Sequence, residues 1–260
     1  MDELEKLKET ILKEFPRLDK ESKFQFNCHK DISCFNKCCT DVNIFLTPYD
    51  IIRLKNRLQI SSQEFLDKYT FLPIDEKQNH PVVMLKMEDD ENKSCPFVSE
   101  KGCSVYEDRP WSCRMFPLGV ASPKDNGMNK ESEFYFILEE PVCHGHEETK
   151  QQTVNEWIKD QNVKDYSAMG EQFKEVSLHE YFGKGKQLEP AKQEMFYTVC
   201  YNIDKFRQFV FESSFLKRFE VGDDMIKKMR EDDKELLLFG FDWLKYCLFG
   251  EGTMKVKKSN

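Results

Sequence analysis

Apolar residues recur at helical spacing in the second half of the chain, which predicts two long amphipathic helices there. The first is predicted from about Pro190 to Phe219, and the second from about Asp233 to Phe249. The apolar face of the first helix is formed by Met195, Val199, Ile203, Phe206 and Val210. The apolar face of the second is formed by Leu236, Leu237, Phe241, Leu244 and Leu248. The chain after about residue 147 is therefore expected to be mainly helical.

The first half carries shorter helical patterns with clear start signals. Residues 3–15 form an amphipathic pattern, with leucine and isoleucine on one face and charged residues on the other. Thr47 is a typical N-cap and is followed by a proline, so a helix is expected to begin there. Ser61-x-x-Glu64 resembles a capping box and predicts a second short helix.

Strand signals in the first half are short and separated by turn-rich sequence. Apolar or alternating runs at Val42–Leu46, Pro81–Met87 and Phe134–Leu138 predict strands. The expected fold class is therefore α+β, with a small cysteine-rich half that contains a few short strands, followed by a mainly helical C-terminal half. The expected domains are residues 1–146 and residues 147–260.

Cysteines are concentrated in the first of these domains. Eight of the ten lie between residues 28 and 143, and as thiolates they are soft ligands that suit zinc, copper(I) or iron–sulfur clusters. The candidate metal ligands are Cys28, Cys34, Cys38, Cys39, Cys95, Cys103, Cys113 and Cys143. The other two, Cys200 and Cys247, fall inside predicted helices and are expected to act as small core hydrophobes.

The spacing of the thiols narrows the kinds of metal site. Gaps of five and three residues precede the adjacent pair Cys38-Cys39, and they match neither the paired Cys-x2-Cys knuckles of zinc ribbons nor the ferredoxin run. Neighbouring side chains of an extended backbone point to opposite sides, so both thiolates of the pair would reach one ion only through a special local turn. A bridging thiolate, or two centres of four thiolates each, are the alternatives.

The arginine and histidine side chains near the thiols can each be interpreted in two ways. Arg109 and Arg114 flank one of the cysteines and could donate to an anionic metal site or pair with nearby carboxylates. His29, His144 and His146 adjoin cysteines in the sequence. Each imidazole could replace a thiolate ligand or support one through a hydrogen bond.

Composition excludes some classes of partner. The net charge of −8 leaves no basic excess for general binding to nucleic acid or to an anionic membrane. No secretory signal pattern is visible, and no apolar run approaches the ~18 residues needed to span a bilayer. A cytoplasmic location is therefore expected, where clustered thiols are more typical of metal binding than of disulfides. A disulfide framework stays as the alternative if a signal has been removed.

Several motifs carry a resemblance to a known family. They are Cys38-Cys39, Leu46-Thr47-Pro48-Tyr49-Asp50, Cys95-Pro96-Phe97 and, within Gly102–Pro117, Gly-Cys-x-x-Tyr-Glu-x-Arg-Pro-x-x-Cys-Arg-x-Phe-Pro. Over roughly residues 28–146 the chain resembles the YkgJ-type cysteine-cluster family, a zinc- or iron-chelating domain of CxxCxxCC type related to flagellin lysine N-methylase, an iron–sulfur protein. The resemblance implies that the eight clustered cysteines form the metal-binding set. The gaps in the first cysteine group are wider here than the two-residue gaps usual in the family.

Three functions follow from these patterns. The first is an iron–sulfur protein, with one or two clusters of the 4Fe-4S type, that acts in redox chemistry or in a cluster-dependent modification such as lysine N-methylation. The alternative is a structural zinc protein whose helical half binds a protein partner. A third reading, a nucleophilic Cys143 beside His144 and His146, lacks an orienting third group. Iron–sulfur chemistry is preferred because long, irregular cysteine spacings are unusual for compact zinc modules.

Overall fold

The computed structural model describes residues 15–73, 78–121, 133–183 and 186–257. The predicted helix over residues 3–15 therefore lies outside the described residues, apart from its last position. The chain divides into two compact units that interleave along the sequence. The first unit consists of Met1–Thr40, Val98–Ser104 and Ser112–Lys164, and the second consists of Asp41–Phe97, Val105–Trp111 and Asp165–Asn260.

The strands of the described residues are short, and none exceeds four residues. They are β1 (Lys23–Gln25), β2 (Phe45–Leu46), β3 (Thr70–Phe71), β4 (Val83–Leu85), β5 (Val98–Ser99), β6 (Gly102–Cys103), β7 (Leu118–Ala121), β8 (Phe134–Ile137) and β9 (Gln151–Thr153). The three strands predicted from the sequence are confirmed over shorter spans, as β2, β4 and β8.

Helices predominate in the C-terminal half, as expected for this α+β fold. They are α1 (Pro48–Leu58), α2 (Ser62–Tyr69), α3 (Trp111–Met115), α4 (Val154–Asp160), α5 (Lys164–Ser177), α6 (Glu180–Gly183), α7 (Pro190–Tyr201), α8 (Ile203–Glu212), α9 (Phe215–Arg218), α10 (Asp223–Glu231) and α11 (Asp233–Leu244). The last continues into a π-helical turn, Lys245–Phe249. None of these helices combines the length and the apolarity that a membrane crossing needs.

The first unit is built from antiparallel strand pairs around an aromatic core. Strand β1 pairs with β9, β5 with β6, and β7 with β8. Phe26 follows β1, is 2% exposed, and packs edge-on against Phe116 and Trp157 with ring centroids 5.8 and 5.5 Å away. The indole Nε1 of Trp157 donates to the Met115 carbonyl at 3.2 Å. Because Phe26 lies two residues before Cys28, this core is continuous in sequence with the cysteine-bearing loops.

The second unit contains the sheet β2-β4-β3 and the helices with predicted caps. At the start of α1, the Thr47 Oγ1 accepts from the Asp50 N–H at 3.2 Å, and the Thr47 N–H donates to Asp50 Oδ2 at 2.8 Å. At the start of α2, the Ser61 hydroxyl accepts from the Glu64 N–H at 3.1 Å. Both predicted helix starts are therefore confirmed. They could be predicted because a cap depends on residues only three positions apart in the sequence.

The prediction of one continuous helix from Pro190 to Phe219 is wrong, because the chain forms three helices there, α7, α8 and α9. Asn202 lies between α7 and α8, and its Oδ1 accepts from the Lys205 N–H at 3.3 Å, which caps α8. The Ser62 hydroxyl donates to the same oxygen at 2.8 Å. The buried polar pair Ser62–Asn202 therefore starts a new helix within a segment whose apolar residues recur at helical spacing throughout. Most of the predicted apolar face is still buried, at Val199, Ile203, Phe206 and Val210.

The helix predicted from Asp233 to Phe249 is confirmed as α11 and its π-helical extension. Gly240 permits the close approach of this helix to its neighbours. A Cβ atom at Gly240 would lie 2.6 Å from the Val199 side chain in α7 and 2.9 Å from the Phe206 ring in α8. The helical core of the second unit is thus packed too tightly here for any larger residue.

Candidate metal centre

The first cysteine group lies in a turn-rich loop of the first unit. Asn36 adopts a left-handed backbone conformation, with φ 67°, at the start of a 3-10 turn over Lys37–Cys39. The Asn36 amide group donates to the Ser99 carbonyl of β5 at 2.8 Å, and the Cys39 N–H donates back to the Asn36 carbonyl at 3.0 Å. The local sequence therefore supplies a tight turn, which is what binding of both adjacent thiolates to one ion would require.

Within this turn the side chains of Cys38 and Cys39 interact directly. A hydrogen bond from the Cys39 thiol lowers the pKa of Cys38 to about 7, against the opposing effect of burial. Thiolate is the form of cysteine that binds metal, and a thiol with such a pKa ionises readily near neutral pH.

Cys143 joins this group from a distant part of the sequence. The backbone N–H of His144 donates to the Cys34 Sγ at 3.2 Å, across 110 residues of chain. Burial raises the pKa of Cys143, and the neighbouring thiols of Cys34 and Cys38 add to the rise, whereas the backbone N–H of Gly145 opposes it. The interacting thiols, called the four-thiol group below, are Cys34, Cys38, Cys39 and Cys143.

The other four predicted ligands are spread over both units. Cys28, Cys103 and Cys113 belong to the first unit, the last two in β6 and α3, and Cys95 belongs to the second unit. All ten cysteines are thiols rather than disulfides. In the described part of the chain, no three His, Cys, Asp or Glu side chains are arranged so that they could hold a metal ion. The assignment of all eight cysteines as ligands stays a prediction.

The two cysteines outside the clusters lie in the helices of the second unit. Cys200 in α7 is 2% exposed, and burial raises its pKa well above the usual value. Cys247 is half-buried in the π-helical turn, and burial raises its pKa as well. Both thiols are therefore kept protonated, as expected of cysteines that serve packing.

The three histidines beside the cysteines differ in their surroundings. His29 Nε2 lies 3.3 Å from the Glu148 carboxylate, and its side chain is 37% exposed. His144 Nδ1 lies 3.1 Å from the Glu147 carboxylate, and its side chain is 42% exposed. His146 is different, because its Nε2 is buried and has no hydrogen-bond partner among the described residues.

The two buried arginines that flank Cys113 each have structural contacts within their own unit. Arg114 is 2% exposed, and its Nη1 donates to the Gln161 carbonyl at 2.7 Å. Arg109 is 7% exposed, and its guanidinium carbon lies 3.7 Å from the centroid of the Tyr106 ring. Each arginine therefore has a contact with its own unit, and a role for either at a metal site stays a prediction.

Sequence reasoning missed a connection between two of the motifs. Asp50, at the third position of α1, is fully buried, and its Oδ1 accepts from the Trp111 N–H at 2.8 Å. One turn further along α1, Arg53 pairs with Asp108 at 2.5 Å between Nη2 and Oδ1. The Thr-Pro-x-Asp and Tyr-Glu-x-Arg-Pro motifs are thus bonded to each other within the second unit. The sequence signal that could have indicated this contact is that both motifs belong to one family pattern.

The donor chemistry of the four-thiol group fits Zn²⁺ or an iron–sulfur cluster, because both are bound by cysteine thiolates in fours. Such a donor set is typical of cysteine-rich metal-binding proteins. Residues 27–155 match the model of the CxxCxxCC family, whose description reads "Putative zinc- or iron-chelating domain", and this part of the chain belongs to that family. The matched segment contains all eight predicted ligands. No curated protein and no solved structure matches the chain significantly.

Proposed function

We propose that this protein carries an iron–sulfur cluster and uses it in redox chemistry or in a cluster-dependent protein modification of the lysine N-methylase kind. The observation that carries the proposal is the four-thiol group, in which Cys143 meets a turn that begins more than a hundred residues earlier in the chain. Family membership supports metal chelation by this segment. The proposed ligands are drawn from Cys28, Cys34, Cys38, Cys39, Cys95, Cys103, Cys113 and Cys143.

The surroundings of the four-thiol group suit a negatively charged centre. Four thiolates around a [4Fe–4S]²⁺ core leave a net charge of about −2, which hydrogen-bond donors must offset. The backbone N–H groups of His144 and Gly145 point to Cys34 and Cys143 respectively. The rings of Phe26 and Phe116 pack against each other in the same unit. A bound cluster would supply one-electron transfer, which these donors would tune.

Structural zinc is the second candidate, because the four interacting thiols could supply its complete ligand set. Zn²⁺ in structural sites takes four ligands in tetrahedral geometry, and a four-cysteine site needs no further residue. In that case the metal would stabilise the first unit, and the helices of the second would contact a protein partner.

We further propose that the protein works in the cytoplasm with a protein partner, and not with nucleic acid or a membrane. All ten cysteines are thiols, which suits a reducing compartment. The net charge of −8 argues against polyanionic partners.

The decisive experiment measures iron, zinc and acid-labile sulfide per chain, with an absorption spectrum, on protein purified without oxygen. Iron and sulfide in near-equal amounts with a broad band near ~400 nm support the cluster, whereas stoichiometric zinc without colour supports the second candidate. The Cys38→Ser and Cys143→Ser variants should lose most of the metal, and the matched Cys247→Ser variant should keep it. Equal metal content in all three variants would refute the assignment of the four-thiol group.

A further inference from the structure

A polar cavity lies at the C-terminal end of α1 and contains none of the predicted metal ligands. Its volume is about 420 Å³, which is within the range of roughly 300–1,000 Å³ that is usual for sites of small molecules. The lining residues are Arg53, Asn56, Arg57, Gln59 and Asp108, and all of them belong to the second unit. The cavity is therefore a candidate site for a ligand that is not the proposed metal.

Two arginines on one face of α1 give this cavity its charge. Arg53 and Arg57 are four residues apart in the helix, so their side chains are neighbours and their like charges repel. The helix dipole favours a cation in the last turn, but it provides no hydrogen-bond partner for a guanidinium group. An anion bound between the two side chains would replace this repulsion with attraction.

The two arginines differ in their partners. The Nε and Nη2 atoms of Arg53 donate to the Asp108 Oδ1 at 2.9 and 2.5 Å, and the guanidinium carbon lies 5.9 Å from the centroid of the Tyr166 ring. Arg57 is exposed, and its guanidinium group forms neither a hydrogen bond nor an ion pair with any residue that the structure describes. Asp108 is the one carboxylate in the lining, and Arg53 balances its charge, so the lining has one positive charge in excess.

Two side-chain amides complete the lining. Asn56 lies in the last turn of α1, and its Nδ2 is 3.5 Å from the Asp233 Oδ2. Gln59 follows the helix in a left-handed backbone conformation, with φ 56°, and its backbone N–H donates to the Asn56 carbonyl at 3.2 Å. This turn brings the Gln59 side chain to the cavity, where its amide group can donate hydrogen bonds to an anionic oxygen.

We infer that this cavity binds the phosphate or carboxylate group of a small molecule, with Arg57 as the main donor. A guanidinium group offers two parallel hydrogen bonds to either oxyanion, and such charge-assisted bonds are stronger than those between neutral groups. Arg53, which Asp108 holds in place, would add positive charge from the same face of the helix. A neutral or cationic ligand would leave the excess charge unbalanced. The inference does not depend on which metal the first unit binds.

The test uses three small probes that share a three-carbon skeleton, glycerol 3-phosphate, glycerate and glycerol. Each is titrated into the full-length protein at low ionic strength, and the heat of binding is measured. We expect glycerol 3-phosphate, glycerate or both to bind, with an affinity that falls as salt is added, and glycerol not to bind. The tighter of the two anionic probes identifies the oxyanion that the site prefers.

Three variants separate a directed site from general attraction to positive charge. Arg57→Ala should weaken binding of the anionic probe by about tenfold or more, because it removes a charged donor. Arg57→Lys keeps the charge but loses the planar fork, so it should bind more weakly than the unchanged protein and more tightly than Arg57→Ala. Arg218→Ala is the matched control, since this exposed arginine lies in α9 of the same unit and does not line the cavity.

Binding that is lost in Arg57→Ala and kept in Arg218→Ala supports the inference. The absence of binding of both anionic probes to the unchanged protein would overturn it, as would equal losses in Arg57→Ala and Arg218→Ala. Metal content per chain should be the same in all of these proteins, so a failure here is distinguishable from a failure of the proposed metal centre.

Discussion

The two units of this protein are stabilised in different ways. In the second unit, helices of up to fourteen residues pack their apolar faces together, and residues such as Phe206 and Leu236 are fully buried. In the described residues of the first unit, the longest strands have four residues, and cysteine-bearing turns take the place of long helices. Short elements bury little apolar surface each, so such a unit depends more on side-chain cross-links or metal. We therefore expect the proposed metal to contribute to the folding of the first unit and not to that of the second.

Removal of the proposed metal should produce the largest difference in stability between the two units. A strong chelator under reducing conditions should abolish amide protection in β1, β9 and the turn Lys37–Cys39, because the proposed metal would contribute directly to folding there. Protection of α8 and α11 should stay within error. Hydrogen exchange resolved by peptide on the full-length protein checks this. Equal loss in both units, or no loss in either, would break the comparison.

Truncation of the helical core should have the next largest effect. Phe206 is 0% exposed and stacks on Trp243 with a centroid distance of 5.8 Å. Phe206→Ala should lower the free energy of unfolding of the second unit by about 3–5 kcal/mol. Phe209→Ala is the control, since that ring is 41% exposed and should cost much less. Urea unfolding followed by circular dichroism gives the difference, and metal content should not change in either variant.

Loss of the buried carboxylate of Asp50 should have a smaller effect on the second unit. Asp50→Ala removes the acceptor for the Thr47 N–H in the capping box and the acceptor for the Trp111 N–H, and these losses together should cost about 1–3 kcal/mol. The exposed Asp89 provides a control, and Asp89→Ala should be neutral. Thermal unfolding of the two variants is the measurement. A loss no greater in Asp50→Ala than in Asp89→Ala would show that the bond between the motifs contributes nothing.

The smallest expected effect is a dependence of the stability of the second unit on pH. Burial lowers the pKa of His80 below its usual value of 6.5, against the opposing effect of hydrogen bonds to the Pro81 and Ser177 carbonyls. The unfolded chain therefore binds this proton more readily than the folded protein. The stability is fully present above pH 6.5 and is lost as the pH falls towards the lower folded pKa. Unfolding of α7 and α11 at pH 7.5 and 5.5 should show this loss.

The variant that isolates this group is His80→Phe. Phenylalanine keeps the stacking on Phe196, where the ring centroids are 4.7 Å apart, and cannot be protonated. The difference in stability between the two pH values should be smaller in the variant than in the unchanged protein. The same difference in both proteins would assign the pH dependence to other groups.

Features set by near neighbours in the sequence could be predicted, and features set by distant ones could not. The cap at Thr47 involves residues three positions apart, and it was predicted from the sequence. The break at Asn202 depends on Ser62, 140 residues away, and no apolar period reveals such a contact. Periodicity therefore gave a continuous helix where the structure has three.

The same rule applies to the candidate site. Residue type and family pattern were enough to predict that the clustered cysteines suit metal, and membership of residues 27–155 in the family agrees. Which thiols interact could not be predicted, because the contact between Cys34 and the His144 N–H spans 110 residues. The buried state of His146 Nε2 was hidden for the same reason, since it depends on Phe26 and Phe116 from two other segments.

The bond between Asp50 and Trp111 closes a loop of 61 residues without any covalent link. The entropy lost on closing a flexible loop rises only with the logarithm of its length, so that doubling the loop costs roughly 0.6 kcal/mol. Residues inserted in exposed turns between these two positions should therefore add little to the cost of closure. The loop includes Cys95 and Cys103. The number of residues between the two motifs can therefore vary, whereas the hydrogen bond from the Trp111 N–H to the Asp50 carboxylate has to be kept.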